Sequence, residues 1–557
     1  MHPNAPLKLS DTLIKARQAG EEREAERRAK ELGLPYVNLN ISPLEVEALA
    51  LIPEARSRDL QVAIFEANES RAALAAAKPG DSRVLELIRE LEKQNRKVVV
   101  CVASLRGLNH AWESYRFATK PTKEITGRVA IEKERVQELR TKLVGLPQIE
   151  AALQKFDYQE GSVTEFLEVT LAGALANRAS DIHFEPEEKG VKLRYRIDGI
   201  LHDVAKSMPV FFYRKTTSRL KLLSGIKLNI QNHPQDGRFT IELPEKAIEI
   251  RVAMAPAEYG EIIVLRILDP DSILSLTDLG IREDDLALIQ IELDRPHGMI
   301  LNTGPTGSGK TTTLYAFLSA KKTPEIKIVT IEDPIEYHLE GIEQTQVDEE
   351  GGYSFANGLR SILRQDPDSI LVGEIRDQET AEIALQAALT GHLVFSTIHA
   401  NEAAGAIPRL LDLGVKPTSI GPGMNLIISQ RLVRRLCEQC KKPMSLDARQ
   451  LKRFADFVGQ LPERVAKANY AEIKLWRPEG CEACGNLGFK GRVGIYEILV
   501  TDEALEPLIL SKAGETELAR YAEKRGMVTM QADGVLKALR GITTVDEVIR
   551  ETGQLLW

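Results

Sequence analysis

The sequence predicts a multidomain α/β protein with a parallel sheet in its C-terminal half. The chain has 557 residues, which is more than a single hydrophobic core usually supports. Hydrophobic residues make up 43% of the chain and charged residues 28%, proportions typical of globular domains. From about Ser275 onward, apolar strand-like runs alternate with helical patterns, and this alternation predicts parallel strands joined by helices.

Residues 1–118 are predicted to form a small N-terminal α/β domain. The segment has a charged helical pattern from Glu22 and an apolar, strand-like run from Arg96 to Ser104. Cys101 lies inside that run and is predicted to be a buried core thiol. Residues 119–160 are charged and helix-prone, with proline breakers, and are interpreted as a helical linker.

A second domain is predicted over residues 161–275. It opens with "VTEFLEVTLAGALANRAS", in which apolar residues recur at helical spacing. In "VKLRYRIDGIL" apolar and basic residues then alternate, and Asp198-Gly199 is a two-residue hairpin signal. Further strands are predicted at "RFTIEL", "AIEIRVAMA" and "EIIVLRIL".

The stretch "LNTGPTGSGKTTTLYAF" contains the phosphate-binding pattern G-x-x-x-x-G-K-[ST] between a short apolar strand and a helix. Backbone N–H groups of such a loop surround a phosphate, Lys310 bridges phosphates, and the Thr311 hydroxyl is a ligand for Mg²⁺. The alternative is a chance glycine-rich loop. The predicted nucleotide-binding residues are Gly304, Pro305, Thr306, Gly307, Ser308, Gly309, Lys310, Thr311 and Thr312.

Acidic residues follow two predicted strands downstream of this loop. In "DPDSILVGEIRD" the strand ends at Gly373-Glu374, and Glu374 is assigned the role of polarising the attacking water. Gly373 occupies the position where helicase-type motors often have a second acid, so Mg²⁺ would depend on Thr311, waters and other carboxylates. An acidic group in "TIEDPIEY" supplies the candidates, which are Glu332, Asp333 and Glu336. The alternative reading of all these acids is that they are solvated strand ends.

Two histidines bracket the apolar strand "LVFST". His399 follows the strand, where it would be placed to sense the γ-phosphate. A histidine of this kind is often purely structural, and for His392, which precedes the strand, both readings stay open.

Four of the five cysteines form two C-x-x-C pairs, in "LCEQC" and "GCEAC". Four thiolates complete a tetrahedral Zn²⁺ site without an open position, so the ion would be structural. Two separate redox pairs are the alternative. The predicted zinc subdomain spans about 437–488, and its ligands are Cys437, Cys440, Cys481 and Cys484.

Taken together, these motifs resemble the ATPases of type II secretion and type IV pilus assembly. The resemblance runs from about Val163 to the C-terminus. It is carried by "RASDIHFEP", "RYRIDGIL", "QDGRF", "GEIIVLRIL", the phosphate loop, "TIEDPIEY", "RSILRQDPDSILVGEIRD", "TGHLVFSTIHAN", the cysteine pairs and "GRVGIYEIL". It implies a PAS-like second domain, a RecA-like ATPase domain over 276–557 that includes the tetracysteine subdomain, and a hexameric ring that hydrolyses ATP.

The same resemblance gives a role to two arginines of the second domain. It implies that Arg251 and Arg266 reach the nucleotide of a neighbouring subunit and take part in hydrolysis. The alternative is that both lie on solvated strand faces. The resemblance also implies that a tetracysteine subdomain accompanies secretion and pilus-extension ATPases and is missing from retraction ATPases.

The function expected from the resemblance is a motor that drives pilin or pseudopilin assembly. Its partners would be an inner-membrane platform protein and a docking protein, and contact with the membrane would be through them. No apolar run is long enough for a membrane helix and the start lacks a signal-peptide core, so we expect a cytoplasmic protein at the inner face of the membrane. One rival is a DNA-directed secretion or conjugation motor, although an isoelectric point near 5.8 gives no reason to expect nucleic acid. Another is a regulatory module that binds ATP without hydrolysing it.

Overall fold

In the computed structural model the chain divides into two compact units, Met1–Thr126 and Gly127–Trp557. The structure describes residues 9–40, 42, 44, 46–49, 51–67, 71–93, 97–117, 128–129, 133–243, 246–269, 274–349 and 351–555. Most of the first part of the predicted linker, 119–127 and 130–132, lies outside the described residues. Across the described ranges, no helix combines the length and the apolar character that a bilayer span requires.

The first unit is an α/β domain, in agreement with the predicted fold. Its helices are α1 (Leu9–Leu32), α2 (Val46–Leu49), α3 (Glu54–Leu60), α4 (Ser82–Lys93) and α5 (Leu105–Glu113). Its strands are β1 (Val62–Ala67), β2 (Arg71–Ala76) and β3 (Lys97–Val102). β2 pairs antiparallel with β1 and parallel with β3. Cys101 is buried in β3, as predicted.

The second unit begins with a sheet that is antiparallel apart from one parallel strand pair at its edge and that carries helices on one face. The helices are α6 (Lys133–Lys142), α7 (Leu146–Gln154), α8 (Val163–Ala176) and α9 (Val210–Leu223). The strands are β4 (Arg128–Val129), β5 (Ala179–Glu187), β6 (Gly190–Ile197), β7 (Ile200–Met208), β8 (Gln235–Glu242), β9 (Ala247–Ala257) and β10 (Gly260–Leu268). Their order in the sheet is β4-β8-β9-β10-β5-β6-β7. Asp198 and Gly199 join β6 to β7 with φ angles of 49° and 89°, which confirms the predicted hairpin turn.

Helices α6 and α7 lie in the range that the sequence suggested was a charged linker. Their apolar side chains, including Val136 and Ile149, are buried in the same core as Phe166 of α8. The charged residues of this segment cover the outer side of amphipathic helices, and the sequence interpretation gave too little weight to the apolar side. The described part of this range therefore packs as a layer of the second domain.

The rest of the second unit, which we call the ATPase domain after the sequence prediction, is built on a mostly parallel sheet with helices on both faces. Its helices are α10 (Glu283–Leu293), α11 (Lys310–Lys321), α12 (Phe355–Ile362), α13 (Gln378–Leu389), α14 (Ala406–Asp412), α15 (Pro417–Gly423), α16 (Ala448–Gln460), α17 (Glu506–Leu510), α18 (Glu515–Lys524), α19 (Met530–Leu539) and α20 (Val545–Thr552). Its strands are β11 (Gly298–Thr303), β12 (Ile328–Glu332), β13 (Glu343–Gln346), β14 (Ser369–Val372), β15 (Leu393–Ile398), β16 (Met424–Leu436), β17 (Lys442–Met444), β18 (Leu475–Arg477) and β19 (Phe489–Val500).

The main sheet of this domain has the order β13-β12-β14-β15-β11-β16-β19. Its strands run parallel except β19, which pairs antiparallel with β16. α10 and α11 cover one face, and α12 and α13 cover the other. The carboxyl ends of β11, β12, β14 and β15 therefore meet at one edge, which is where a sheet of this kind binds ligands. The insert between the cysteine pairs contains α16, which packs against α19.

Candidate nucleotide and metal sites

The phosphate loop connects β11 to the amino end of α11, as the sequence predicts. Gly304 has a φ of 143°, and a Cβ atom there would lie 2.5 Å from the carbonyl oxygen of Gln430. Gly309, at the helix start, has a φ of 89°. Only glycine fits these backbone positions without strain. The glycines thus let the loop turn tightly into the amino end of α11, and a helix N-terminus is where a phosphate is stabilised.

Lys310 turns its ammonium group back onto the loop. Its Nζ donates hydrogen bonds to the carbonyl oxygens of Gly304 at 2.9 Å and Pro305 at 3.1 Å. Burial lowers the pKa of Lys310, Glu374 raises it, and Arg431 lowers it further. The lysine is therefore held at the loop, ready to exchange carbonyl oxygens for phosphate oxygens.

A cavity of about 690 Å³ opens beside the loop and is lined by both domains of this unit. The ATPase domain contributes phosphate-loop residues, Glu374 and His399, and the second domain contributes Arg266. The predicted site residues that line it are Thr306, Gly307, Gly309, Lys310, Thr311, Thr312, Glu332, Asp333, Glu336, Glu374, His399 and Arg266. Such a mixture of cations, carboxylates and backbone donors suits a metal-bound triphosphate.

Glu374 lies just after the carboxyl end of β14, facing this cavity. One of its carboxylate oxygens is 3.6 Å from His399 Nε2, and the other accepts a hydrogen bond from Arg376. A Cβ atom on the preceding residue, Gly373, would lie 3.3 Å from the Cα of Glu332. A side chain at this position would therefore crowd the backbone of β12.

The carboxylates of the acidic group are each engaged by protein donors. Glu332 is buried and accepts hydrogen bonds from Tyr315, from Thr330 at 2.6 Å and from Gln344 at 3.1 Å. Asp333 is exposed and pairs with Arg376 at 3.3 Å. Glu336 is half-buried and pairs with Arg251 at 3.2 Å. Glu332 therefore braces the end of β12, and a role of the group in holding Mg²⁺ stays a prediction.

The two arginines of the second domain lie differently, because Arg266 lines the nucleotide cavity of its own chain whereas Arg251 pairs with Glu336 of the acidic group. Arg251 also donates to the carbonyl oxygen of Ile335, beside the acidic group. Arg266 lines the cavity, and its Nε lies 3.1 Å from Asp181. The resemblance implied that both arginines reach a neighbour's nucleotide, and that role stays a prediction.

The four paired cysteines come together in one cluster. The Sγ atoms lie 3.8 Å apart for Cys437 and Cys481, 3.9 Å for Cys440 and Cys484, and 3.8 Å for Cys481 and Cys484. A tetrahedral zinc with sulfur ligands at about 2.3 Å requires sulfur–sulfur distances of about 3.8 Å. Backbone N–H groups of Gly480 and Gly488 donate to two of the sulfurs at 3.3 and 3.2 Å, as is common around metal-bound thiolates. The donor set and spacing therefore fit zinc.

The loop after Cys484 also contacts the second domain. Leu487 packs against the core of that domain, and the backbone N–H of Gly491 donates to Asp198 at 3.0 Å. The cysteine cluster thus stabilises a loop that joins the two domains of the second unit.

Comparison with known proteins identifies the family to which this site belongs. The family described as Type II/IV secretion system protein matches residues 157–550. The chain belongs to the type II/IV secretion system protein family. A second family, the MshEN domain, matches residues 32–116.

Relatives of this secretion system protein include named ATPases. The type IV pilus assembly ATPase PilB of Myxococcus xanthus is 36% identical over 550 residues, which cover 98% of this chain and 94% of the relative. PilB of Pseudomonas aeruginosa is 44% identical over 71% of this chain and 68% of its own length. Type II secretion system protein E of Aeromonas hydrophila is 42% identical, covering 73% of this chain and 78% of the relative. The chain is therefore an ATPase of the secretion system protein family.

A solved structure is similar to this chain in its fold. The ATPase DotB of Yersinia pseudotuberculosis matches with a TM-score of 0.51 and 20% identity, covering 72% of this chain and 95% of DotB. This likeness supports the RecA-like fold of the ATPase domain.

The structure also separates the two histidines of this family member. His399 stands at the cavity, whereas His392 precedes β15 at its opposite end. There its ring Nδ1 contacts the carbonyl oxygen of Ala387 at 3.1 Å, and its own carbonyl accepts from Gly298. These contacts are those of a structural histidine, so a structural role accounts for His392.

One residue that supports the site was missed by the sequence analysis. Gln430 is buried on β16, and its side-chain oxygen accepts hydrogen bonds from Asn302 at 3.1 Å and Thr313 at 2.8 Å. Its amide nitrogen would lie 2.9 Å from a Cβ atom on Gly309. Gln430 thus links the strand before the phosphate loop to the helix after it. The sequence feature that could have indicated Gln430 is the polar glutamine at the end of the apolar run "LIISQ".

Proposed function

We propose that the chain is the ATPase of a type IV pilus assembly machine, acting as a homo-hexamer at the cytoplasmic face of the inner membrane. The observation that carries this proposal is that a pilus assembly ATPase matches 98% of the chain. The matched secretion ATPase covers 73% of it. Pilus assembly is therefore favoured over type II secretion. A reducing compartment would also keep the four cysteines available as zinc ligands.

In this function the phosphate loop binds ATP, and Lys310 exchanges its loop carbonyls for phosphate oxygens. Mg²⁺ held through Thr311 would neutralise charge on the phosphates. Glu374 orients and polarises the attacking water, with His399 beside its carboxylate. Arg266 adds positive charge from the second domain, so hydrolysis is tied to the approach of that domain. The resulting domain motion would be transmitted to an inner-membrane platform protein, with a docking protein holding the ring in place.

The proposed function can be tested in the cells that produce the protein. A chromosomal Glu374→Gln variant should lack surface pili while the export of secreted enzymes continues, because assembly stops when hydrolysis stops. The matched control is Glu472→Gln, a side chain that is 74% exposed on the insert, and it should leave piliation intact. Electron microscopy of surface filaments and assays of secreted enzymes provide the measurement. Intact pili together with lost secretion would assign the protein to type II secretion instead.

Placement of Arg266 at its own chain's cavity predicts how mixed rings behave. Arg266→Ala and Glu374→Gln damage the same kind of site from two domains of one chain. When the two variants share a ring, every site keeps one defect, so phosphate release should not exceed that of the parents.

This experiment uses rings whose mixed composition is verified by differential tagging after subunit exchange. A mixture of Lys310→Ala and Glu374→Gln chains sets the baseline, since both residues belong to one phosphate site. Clear recovery in the Arg266 mixture, but not in the baseline, would show that the arginine acts on a neighbour.

A further inference from the structure

A row of charged side chains crosses the second-domain sheet from strand to strand. Arg238 on β8 stands directly opposite Arg251 on β9, and Arg251 stands opposite Arg266 on β10. Asp181 on β5 is the cross-strand partner of both Arg266 and, on its other side, Arg196 on β6. Like charges directly opposite each other destabilise a sheet. Glu249 pairs with Arg238 and Arg251, and Asp181 is the carboxylate that stands within the row itself.

Asp181 is placed to hold two of these arginines at once. One of its carboxylate oxygens lies 3.1 Å from Arg266 Nε, and the other lies 3.5 Å from Arg196 Nε. The second oxygen also accepts a hydrogen bond from Ser180 at 2.8 Å. The Asp181 side chain is only 8% exposed, whereas that of Arg266 is 57% exposed. The anchor is thus buried while the guanidinium group it holds reaches solvent.

Asp181, Arg196 and Arg266 all line the nucleotide cavity. The contact from Asp181 uses Nε of Arg266, which leaves the donors at the terminal nitrogens for a phosphate. An exposed arginine without an anchor samples many rotamers, and ordering it costs conformational entropy. A charge-assisted hydrogen bond to a buried carboxylate removes much of that cost before the nucleotide binds.

We propose that Asp181 is a positioning residue for ATP hydrolysis, which holds Arg266 and Arg196 at the edge of the nucleotide cavity. Its negative charge also separates two guanidinium groups that would otherwise repel each other across β5. The inference rests on the proposed role of Arg266, because Asp181 acts through that residue and does not itself meet the phosphates.

The test is a double-mutant cycle on the full-length protein, with phosphate release measured over a range of ATP concentrations. Asp181→Asn preserves the shape of the side chain and removes its charge. We expect its kcat to fall about 10- to 100-fold, the size of effect that follows a misplacement of about 1 Å at a reacting group. The KM for ATP should change much less than kcat, because the phosphate loop still binds the nucleotide. Combined with Arg266→Ala, Asp181→Asn should cause no further loss of kcat.

The matched control is Asp203→Asn on β7, which lies two strands from β5 in the same sheet. Asp203 forms a similar pair with Arg194, at 3.1 Å, but neither residue lines the cavity, so this variant should keep the parental kcat. Thermal unfolding checks that each variant is folded, and Asp181→Ser serves as a second variant should the asparagine protein be unstable.

Three outcomes would overturn the proposal, and they differ from a failure of the proposed function. If the losses from Asp181→Asn and Arg266→Ala multiply, Asp181 has only a structural role, although Arg266 still acts in hydrolysis. If Asp181→Asn retains the parental kcat, the carboxylate does not position the arginine. If Arg266→Ala is fully active, the arginine through which Asp181 is proposed to act has no part in hydrolysis. In each of these cases the parental protein still hydrolyses ATP, whereas its failure to do so would contradict the proposed function itself.

Discussion

Replacing Glu374 by glutamine should leave ATP bound and stop its hydrolysis. Glutamine keeps the shape of the side chain at the end of β14 but cannot accept a proton from the attacking water. We therefore expect kcat to fall about 100- to 10,000-fold, the range typical of a lost general base. Phosphate release under saturating ATP measures the rate, and equilibrium dialysis with labelled ATP measures the binding.

Lys310→Ala provides the contrast that separates binding from chemistry. Its ammonium group lies on the phosphate loop, so its removal should weaken ATP binding as well as abolish turnover. Glu472→Gln, on the exposed insert, should behave as the parent in both assays. A Glu374→Gln protein with the parental rate would show that another group activates the water.

Replacing one cysteine of the cluster should release zinc and destabilise the C-terminal part of the second unit. The purified, reduced protein should contain about one zinc per chain, and Cys481→Ser should contain little. Structural zinc sites contribute about 10–16 kcal/mol of apparent binding free energy in zinc-finger peptides, so the loss of one ligand should be visible as a lower unfolding temperature. Elemental analysis and thermal unfolding provide the two measurements.

The control for this experiment is Cys101→Ala, which removes the cysteine of β3 in the first unit. This variant should retain its zinc, because Cys101 is not part of the cluster of paired thiols. The absence of zinc from freshly prepared parental protein would end the zinc assignment, and an intact zinc content in Cys481→Ser would mean that Cys481 is not a ligand.

The features that the sequence predicted well are those encoded by residues close together in the chain. The phosphate loop follows from glycines at set spacings, the hairpin turn from Asp198-Gly199, and each half of the cysteine cluster from a C-x-x-C pair. Glu374 and His399 each follow the end of a predicted strand. That was enough to place them at one edge of the sheet, because the carboxyl ends of parallel strands meet there.

The features that escaped the sequence analysis depend on how distant segments pack. Gln430 meets the phosphate loop only because β16 lies beside β11. Asp181 meets Arg266 only because β5 pairs with β10, and neither pairing can be read from local patterns. Whether Arg266 acts on the nucleotide of its own chain or on that of a neighbouring subunit depends on how one domain is oriented over another. A single sequence carries no periodic signal for that orientation.

The way Lys310 and Gln430 hold the phosphate loop has a consequence for the kinetics of nucleotide capture. A loop already in its binding shape requires no slow ordering step after ATP arrives, so capture should follow a single exponential whose rate constant rises linearly with ATP concentration. The hydrogen bonds from Lys310 to Gly304 and Pro305 are exchanged for bonds to phosphate within that same step. The slow event in the cycle would then lie after capture, in the closure of the second domain or the release of products.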